Sequence, residues 1–581
     1  MTPRPSILAL LVASGLGTSR VAALVPQRAD SQAVLRAAHA AQAAFERTRR
    51  WHLPYAFGRS GGECEERIGR FCYWHDGGAD TTPPEEPRRI REARARLIAA
   101  LDSAATRLPG DEWIAGQRVR YLVEDAQPAA ALVAARSCRA AAWWCEALAG
   151  FALHAAGDFT GADTTFQAAL RTMPVEERCR WTDISLLLDD ELHRRYRRLG
   201  CKERGPIEAR VWWLAQPLYL LPANDRRTEH FARMTMARLQ EGTGTTYGLS
   251  WGADLRELLV RYGWPTYWTQ ERSPSGGSGG TQALVTGHEP SPSFNFLPAA
   301  CALEDPVECR ADEWQVGARR PQERYAPPYA AAFVPLEHQA ALFRRGDSAL
   351  VVAAYDLRGD TLLMNLSLEA ALVLARDERV APVIRRETQA LGRGVLVATA
   401  EWGPLLFSLE LLAAKERRAA RARYGLRPPE ASGRQVSVSD LLLFDPPLSD
   451  SLPRALPAVI PHTRGSARVL ADWSLGLFWE TYGLDPGGGD AVLTISVTVV
   501  QQSTNWLRRA TESLGLVGRR TPVRLRWQER AELEGSVAAR SLVLDLSSLS
   551  SGRYRIEVAV RGGAAGQEPA TAAREIRIVG R

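Results

Sequence analysis

Lysine is almost missing from this 581-residue chain: Lys202 and Lys415 are the only two among 73 basic residues. Arginine supplies the rest of a net charge of +7, set against 66 acidic residues. A protein that binds polyanions gathers its cations on one face. Here acids and arginines are interleaved along the whole chain, so nucleic acid is not an expected partner. Arginine in place of lysine, beside so much alanine, glycine and proline, fits a GC-rich coding sequence better than selection for phosphate binding. With 45% hydrophobic and 24% charged residues the composition is that of a globular protein. The length is too great for one core and implies roughly three or four domains.

Long apolar runs are also missing. No stretch of about eighteen consecutive apolar residues occurs, which excludes a transmembrane helix from the mature chain. The apolar run that does occur at the amino terminus is short: Arg4, then Ile7 to Val12, fading toward Gly17, with the small residues Val21-Ala22-Ala23 before Leu24. This is the layout of a secretory signal peptide over residues 1–23, and it implies a periplasmic or secreted protein.

Several common catalytic signatures are absent as well. There is no phosphate-binding loop, no dinucleotide fingerprint after a strand and no H-E-x-x-H. No catalytic, cofactor-binding or metal-ligating residue is therefore assigned, and no cofactor is expected. The nine histidines are scattered. His154 reads as a satisfied structural histidine. Glu229-His230 is not a dyad by itself, because adjacent residues on a helix do not face one another. The acidic run Asp189-Asp190-Glu191 reads as a solvated helix face.

Eight cysteines suit an oxidising compartment. By proximity they pair as Cys64 with Cys72, Cys138 with Cys145, Cys179 with Cys201, and Cys301 with Cys309, one of 105 possible connectivities. On a continuous helix Cys138 and Cys145 would stand about 10 Å apart, so they can bond only if the helix breaks between them. Cys64, Cys72 and His75 could also be read as metal ligands. Their spacing matches no usual zinc pattern and no fourth ligand is evident, so a local disulfide is the better reading.

Helical periodicity dominates residues 30–242. Alanine-rich Asp30 to Arg50 is a helix by propensity, and further helices are expected over Ile184 to Leu199, Ile207 to Leu214 and Asp225 to Leu239, the last capped by Asn224. QPLYLLP, Gln216 to Pro222, breaks the pattern and should bury its leucines and tyrosine. Within Trp143 to Pro174, the residues Gly150, Gly157, Ala162, Phe166, Ala169 and Pro174 fall at the small, aromatic and proline positions of one repeat, and the stretch resembles a tetratricopeptide repeat. Gly150 and Ala162 would let two helices approach, with Phe166 filling the gap. Trp113 to Ala142 reads as a degenerate earlier copy, with Ala129 and Ala130 at the close-packing positions.

The helical pattern ends at WGADLRELLVRYGWP, Trp251 to Pro265. Leu255, Leu258, Leu259 and Tyr262 define one face of a short helix, Asp254 and Glu257 read as a capping pair, and Gly263 as a stop. Trp264, Pro265, Tyr267 and Trp268 follow as an aromatic wedge, expected to be buried between the helical and β halves. Were they exposed instead, they would be the best candidate binding surface. Trp251, Asp254, Tyr262, Gly263 and Pro265, in the order W-x-x-D-x7-Y-G-x-P, resemble the core of the bacterial GWxTD-domain family. Ser250 stands where that family has glycine, and Ala253 where it has threonine. The resemblance implies an exported protein and no catalytic residues.

Residues 243–298 read as this joint followed by a flexible linker, SPSGGSGGT, Ser273 to Thr281. Phe294 and Phe296 could pin the end of that crossing segment. Beyond it the period changes to two: a first β domain over 335–445, then a second β-sandwich over 463–581, antiparallel and half-buried. In the second domain Leu493, Ile495, Val497 and Val499, then Val523, Leu525 and Trp527, then Tyr554, Ile556, Val558 and Val560 should point into the core. Arg345-Gly346-Asp347 reads as a hairpin turn, not an integrin ligand. The expected fold is therefore multidomain, tetratricopeptide-like helices first and antiparallel β-sandwich domains after. The expected function is that of a non-enzymatic scaffold or protein-binding protein of the bacterial cell envelope, with another envelope or secreted protein as partner. The alternative is a secreted hydrolase or carbohydrate-active enzyme with a carboxylate site in the cleft between the two halves.

Overall fold

The structure is a computed structural model, and it describes residues 24–55, 66–73, 83–271, 284–317, 322–428, 436–448, 451–471, 473–484, 492–502, 523–530, 537–562 and 568–580. Residues 1–23, read as a signal peptide from the sequence, and Cys64, His75 and Ser273 to Thr281 lie outside the described residues. Helices occupy the first half of the sequence and sheets the second. Two compact units form, 1–181 with 228–290, and 182–227 with 291–581.

The first unit is helical. Its helices are α1 (Leu24–His52), α2 (Arg88–Arg107), α3 (Glu112–Glu124), α4 (Pro128–Arg136), α5 (Ala142–Ala155), α6 (Phe159–Thr172), α7 (Val175–Thr182), most of α10 (Asp225–Gln240), and α11 (Ala253–Tyr262). Two small hairpins accompany them: β1 (Glu66–Ile68) with β2 (Phe71–Tyr73), and β3 (Tyr267–Glu271) with β4 (Leu284–His288). Val34, Phe45, Ile90, Leu97, Leu101, Ile114 and Tyr121 form the core that joins α1, α2 and α3.

The pair α5–α6 is held by a very close approach. A Cβ at Gly150 would stand 2.8 Å from the Phe166 ring, and Gly157 turns the chain at φ +80°. Ala162, Phe166 and Ala169 are buried, and Pro174 sits in the break before α7. In α4, by contrast, Ala129 and Ala130 are exposed, and Ala131, Ala134 and Ala135 make the contact instead. The alanine run does not show which of its faces turns inward. The helix also breaks between α4 and α5, and Cys138 bonds Cys145 across the break with their Cα atoms 5.6 Å apart.

The second unit begins with a 3-10 turn at Ser185–Leu187, α8 (Asp190–Arg197) and α9 (Cys201–Ala215). Asp189, Asp190 and Glu191 are all exposed, as a solvated face requires, and the Asp189 side chain also accepts from Leu192 N and caps α8. Leu218, Tyr219 and Leu220 of the QPLYLLP turn are buried. Arg421 and Arg423 donate to the carbonyls of Gln216 and Pro217, and the Arg423 guanidinium lies 4.1 Å from the Tyr219 ring. Asn224 Oδ1 accepts from Arg227 N, which caps α10. Phe296 is buried beside Phe333 and Tyr325. Cys301 in α12 (Ala300–Glu304) bonds Cys309.

Strands β5 (Ala332–Pro335), β8 (Leu368–Ala375), β9 (Val383–Ala390), β11 (Leu405–Ala413) and β12 (Arg418–Leu426) make one sheet in the order β5-β12-β11-β8-β9; β6 (His338–Arg345), β7 (Ser348–Asp356) and β10 (Arg393–Glu401) make another, with β7 central. The β6–β7 turn is Gly346-Asp347, and Arg345 is held by both oxygens of Glu480. Every residue of β11 is buried, with separate hydrophobic clusters on its two faces. The glutamate this buries, Glu410, accepts from Arg423, Ser408 and Leu220 N.

The last part pairs β13 (Ser437–Val438), β14 (Leu442–Phe444) and β19 (Ala538–Asp545) with β16 (Ser474–Tyr482). A five-stranded sheet runs β15 (Arg468–Leu470), β21 (Ala570–Val579), β20 (Gly552–Arg561), β17 (Val492–Gln502), β18 (Val523–Arg530). Pairing is antiparallel except at β5–β12 and β15–β21. The inward residues of β17 and β20 are buried as their alternation predicts. Those of β18 depart from the expectation: Val523 and Leu525 are 49% and 46% exposed, and only Trp527 reaches the core. β18 ends the sheet, and alternation cannot reveal whether a face is covered.

Candidate binding cavity

On helix α11, Leu258 and Tyr262 pack on Ile68 of β1, and the Tyr262 ring stacks on Tyr73 of β2 at 3.7 Å. Arg261 places both terminal nitrogens on Glu66, at 2.6 and 2.8 Å, and the Tyr262 hydroxyl donates to the same carboxylate. Asp254 does not cap the helix. The cap position is Gly252, which has no side-chain bond, and Glu257 accepts from Arg261. Asp254 instead accepts from Arg70 Nε and Nη2 and from the backbone of Leu255. The bonds from Arg70 hold its carboxyl down to about 2. Gly263 then stops the helix at φ +97°. Three residues of the sequence motif, Asp254, Tyr262 and Gly263, are thus accounted for by the β1–β2 hairpin and the turn.

The other two, Trp251 and Pro265, line a cavity of about 400 Å³ that Leu255, Leu258 and Leu259 also border. Its aromatic wall is Tyr247, Trp251, Trp264, Tyr267 and Trp268, all half-buried. The expected wedge lines a cavity built from residues of the first unit. The rings brace one another and their neighbours. Tyr247 meets Trp268 edge-on at 4.8 Å, Tyr267 stacks on His288 at 4.2 Å, and Trp264 meets Phe151 edge-on at 5.6 Å. Gly287 allows this closeness, since a Cβ there would come within 2.5 Å of Pro265 and 2.7 Å of the Tyr247 hydroxyl.

Charged side chains from α1, α2 and α3 make the floor. Arg49 donates to Glu124 Oε2 at 2.5 Å and Arg120 to Glu124 Oε1 at 2.8 Å. Behind them Glu46 accepts from the Tyr121 and Thr246 hydroxyls. Arg94 reaches both oxygens of Glu86 and one of Asp125. Burial alone would raise the Glu124 carboxyl, but the two guanidiniums beside it hold it at about 2. The same carboxylates push the Arg49 and Arg120 guanidiniums above their ordinary value, against the opposing effect of burial. Among the described residues, two solvent-closed polar atoms on lining side chains have no partner: Arg49 Nε and Gln240 Oε1.

A hydroxyl, an imidazole and a carboxylate also meet elsewhere in this unit. His154 Nδ1 lies 3.0 Å from Thr228 Oγ1 and its Nε2 lies 2.7 Å from Glu229 Oε2. Thr228 is wholly buried and Glu229 is also held by Arg233. With its hydroxyl sealed from substrate, the group serves to lock α5 to α10. His154 is a satisfied structural histidine whose partner, 75 residues away, sequence spacing does not reveal.

Cys72, Cys179 and Cys201 are also disulfide-bonded. Among the described residues no group of three or more His, Cys, Asp or Glu side chains could hold a metal ion, and no helix is long and apolar enough to cross a membrane.

No family model matches the chain, and no curated protein matches it. Among solved structures, Escherichia coli alpha-2-macroglobulin activated by porcine elastase aligns at 14% identity and a TM-score of 0.14, over 41% of this chain and 22% of that one. The chain thus spans about a fifth of that protein's length, and a likeness this slight carries no argument about fold or activity.

Proposed function

We propose that the chain is an exported, non-catalytic binding protein of the bacterial cell envelope, and that the cavity of its first unit is the recognition site. The observation that carries this reading is the state of the floor carboxylates. A general acid or base needs a free oxygen and a proton affinity near the working pH. Both oxygens of Glu124 are taken by arginines and it stays ionised down to about pH 2, while Glu86 is clasped by Arg94. The alternative of a hydrolase or carbohydrate-active enzyme gains no support from carboxylates so engaged. Half-buried aromatic walls over fixed polar groups are the usual make-up of a binding pocket. The disulfides favour an oxidising compartment, in keeping with the signal-peptide reading of residues 1–23. The close α5–α6 pair is compatible with a tetratricopeptide-like module, and α11 carries the motif similar to the GWxTD core.

The test places a photoreactive phenylalanine analogue at Trp264 in the full chain and irradiates intact cell envelopes. A discrete adduct at Trp264, absent when the analogue stands at exposed Val175, supports the reading. Equal labelling at both positions would sink it. So would release of hydrolysis products from envelope polymers that disappears in Glu124→Gln.

A further inference from the structure

We infer a second site, in the β-rich unit, for a single carboxylate borne on a short apolar group, either a free short-chain acid or the last residue of a peptide, with Arg421 as its counter-ion. The first argument is a buried cation without an anion. Arg421 is 9% exposed, and among the described residues no carboxylate pairs with it. Glu410 is already taken: its Oε1 accepts from Arg423 and Ser408, and its Oε2 from Leu220 N. Arg421 keeps its place by donating Nη1 to the carbonyls of Gln216 and Pro217 and Nη2 to that of Trp314, at 3.4, 2.8 and 3.4 Å. The Phe296 and Phe333 rings lie 5.7 and 5.6 Å from its guanidinium carbon. These dipoles and ring faces ease the burial of a cation, but none cancels its charge. Burial, and then the like charge of Arg423, push the guanidinium well below its ordinary value. Folding has already taken this cation out of water, so an arriving anion gains the attraction without stripping it again.

The second argument is access. Arg421 borders a cavity of about 120 Å³. Its Nε–H makes no hydrogen bond, yet the atom remains open to solvent. β5 flanks β12 only from Arg418 to Arg421, and the lining comes from the residues next along the chain, Ala422 and Tyr424 after the paired part of β12, Leu336 and His338 after β5. The two ring nitrogens of His338 are engaged by the Leu336 carbonyl and the Tyr424 hydroxyl. Burial pushes that imidazole down, so it stays neutral at neutral pH and adds no second charge.

The third argument selects the anion. One uncompensated cation matches a monoanion, and a phosphate at neutral pH would carry further negative charge into the cavity without a partner. The planar fork of a guanidinium fits the two oxygens of a carboxylate. Much of the remaining lining is apolar, Val316, Phe333, Val334 and Leu336 among it. A chloride ion has nothing to set against those side chains, whereas an aliphatic group removes their surface from water. At about 120 Å³ the space is smaller than is usual for a whole small-molecule ligand, so it admits a short acid or one terminal residue.

The experiment titrates the purified full chain by calorimetry, in a buffer free of carboxylates, with isovalerate, isovaleramide, inorganic phosphate and chloride. The acetylated peptide Ala-Ala-Val is run beside them as its free acid and as its amide. Isovalerate or the peptide acid should bind at least about tenfold more tightly than the matching amide. Tighter binding of the peptide acid makes a chain terminus the source, and binding of isovalerate alone makes it a free acid. Arg421→Lys keeps the charge but loses the fork, and should weaken binding about tenfold. Ala311→Trp, a bulky change at an exposed residue of the lining, should abolish it. Location is read on the unmodified chain with a diazirine-bearing pentanoate: after irradiation the label should fall within residues 311–316, 333–338 or 421–424. Excess isovalerate should suppress that label and isovaleramide should not. Should Arg421→Lys fail to fold, the label and Ala311→Trp decide. Equal binding of acid and amide, a label elsewhere, or binding that survives Ala311→Trp overturns the proposal. So does binding of phosphate or chloride without either acid, or no binding at all. This site lies in the other unit, so its failure leaves the outcome at Trp264 untouched.

Discussion

At the scale of single residues, Glu124 holds together more of the first unit than any pattern in its sequence suggests. It bridges Arg49 of α1 and Arg120 of α3, and both arginines are buried. Glu124→Gln leaves two guanidiniums short of their counter-charge and is expected to cost about 3 kcal/mol, read as a lower melting temperature of the helical unit. Acid should do the same by degrees. The carboxyl titrates at about 2 in the folded chain against an ordinary 4.5, so it binds protons more readily when unfolded. Its contribution is therefore complete above pH ~4.5 and is lost as pH falls toward 2. Acid unfolding followed by circular dichroism should show the helical signal weakening in that window, and the loss should be blunted in Glu124→Gln. These residues were hard to find in the sequence. Glu46 and Arg49 sit in an alanine-rich helix whose charges look solvated, and Glu124 lies 75 residues beyond Arg49. The available signal was local: Arg120 and Glu124 are four apart on a helix beside Tyr121, a residue with little reason to face water.

At the scale of elements, the readings that succeeded were those fixed by neighbours along the chain. Gly150 with Phe166, the stop at Gly263, the cap at Asn224 and the turn at Gly346 all depend on short-range geometry. Gly150→Leu should drive a side chain into the Phe166 ring, costing about 1–3 kcal/mol by overpacking, and should lower the thermal transition of the first unit while leaving that of the β-rich unit in place. A matched fall in both transitions would mean that the two units unfold together. Readings that depended on a distant partner fared worse. Asp254 looked like a cap because its spacing to Glu257 allowed one, yet Arg70, 184 residues earlier, claims it. The doubtful Cys138–Cys145 pairing turned on whether a helix continued. The residues between α4 and α5 end it, and the bond closes across the gap. Peptide mapping without reduction should recover Cys138 joined to Cys145 and Cys301 to Cys309. Free thiols at either pair would count against an oxidising destination.

For the whole molecule, the order of helices followed by sheets could be read from the change of period, but the division into units could not. Residues 182–227 are helical in sequence and structure yet belong to the β-rich unit. The buried arginines Arg421 and Arg423 give the reason, since they bind the carbonyls at the end of α9 and in the turn after it. Periodicity reports what an element is and not which core it joins. The exposed strand β18 has a consequence for the behaviour of the protein at high concentration. Val523 and Leu525 stand in the open on a strand at the end of its sheet, and the residues between and beyond them are Arg524 and Arg526, also exposed. Two copies meeting along this edge would set like charges face to face, so these arginines act as a colloidal guard. Replacing both with alanine should leave the fold intact and raise self-association in light scattering, with the effect growing with concentration. Any crowded compartment would favour that guard.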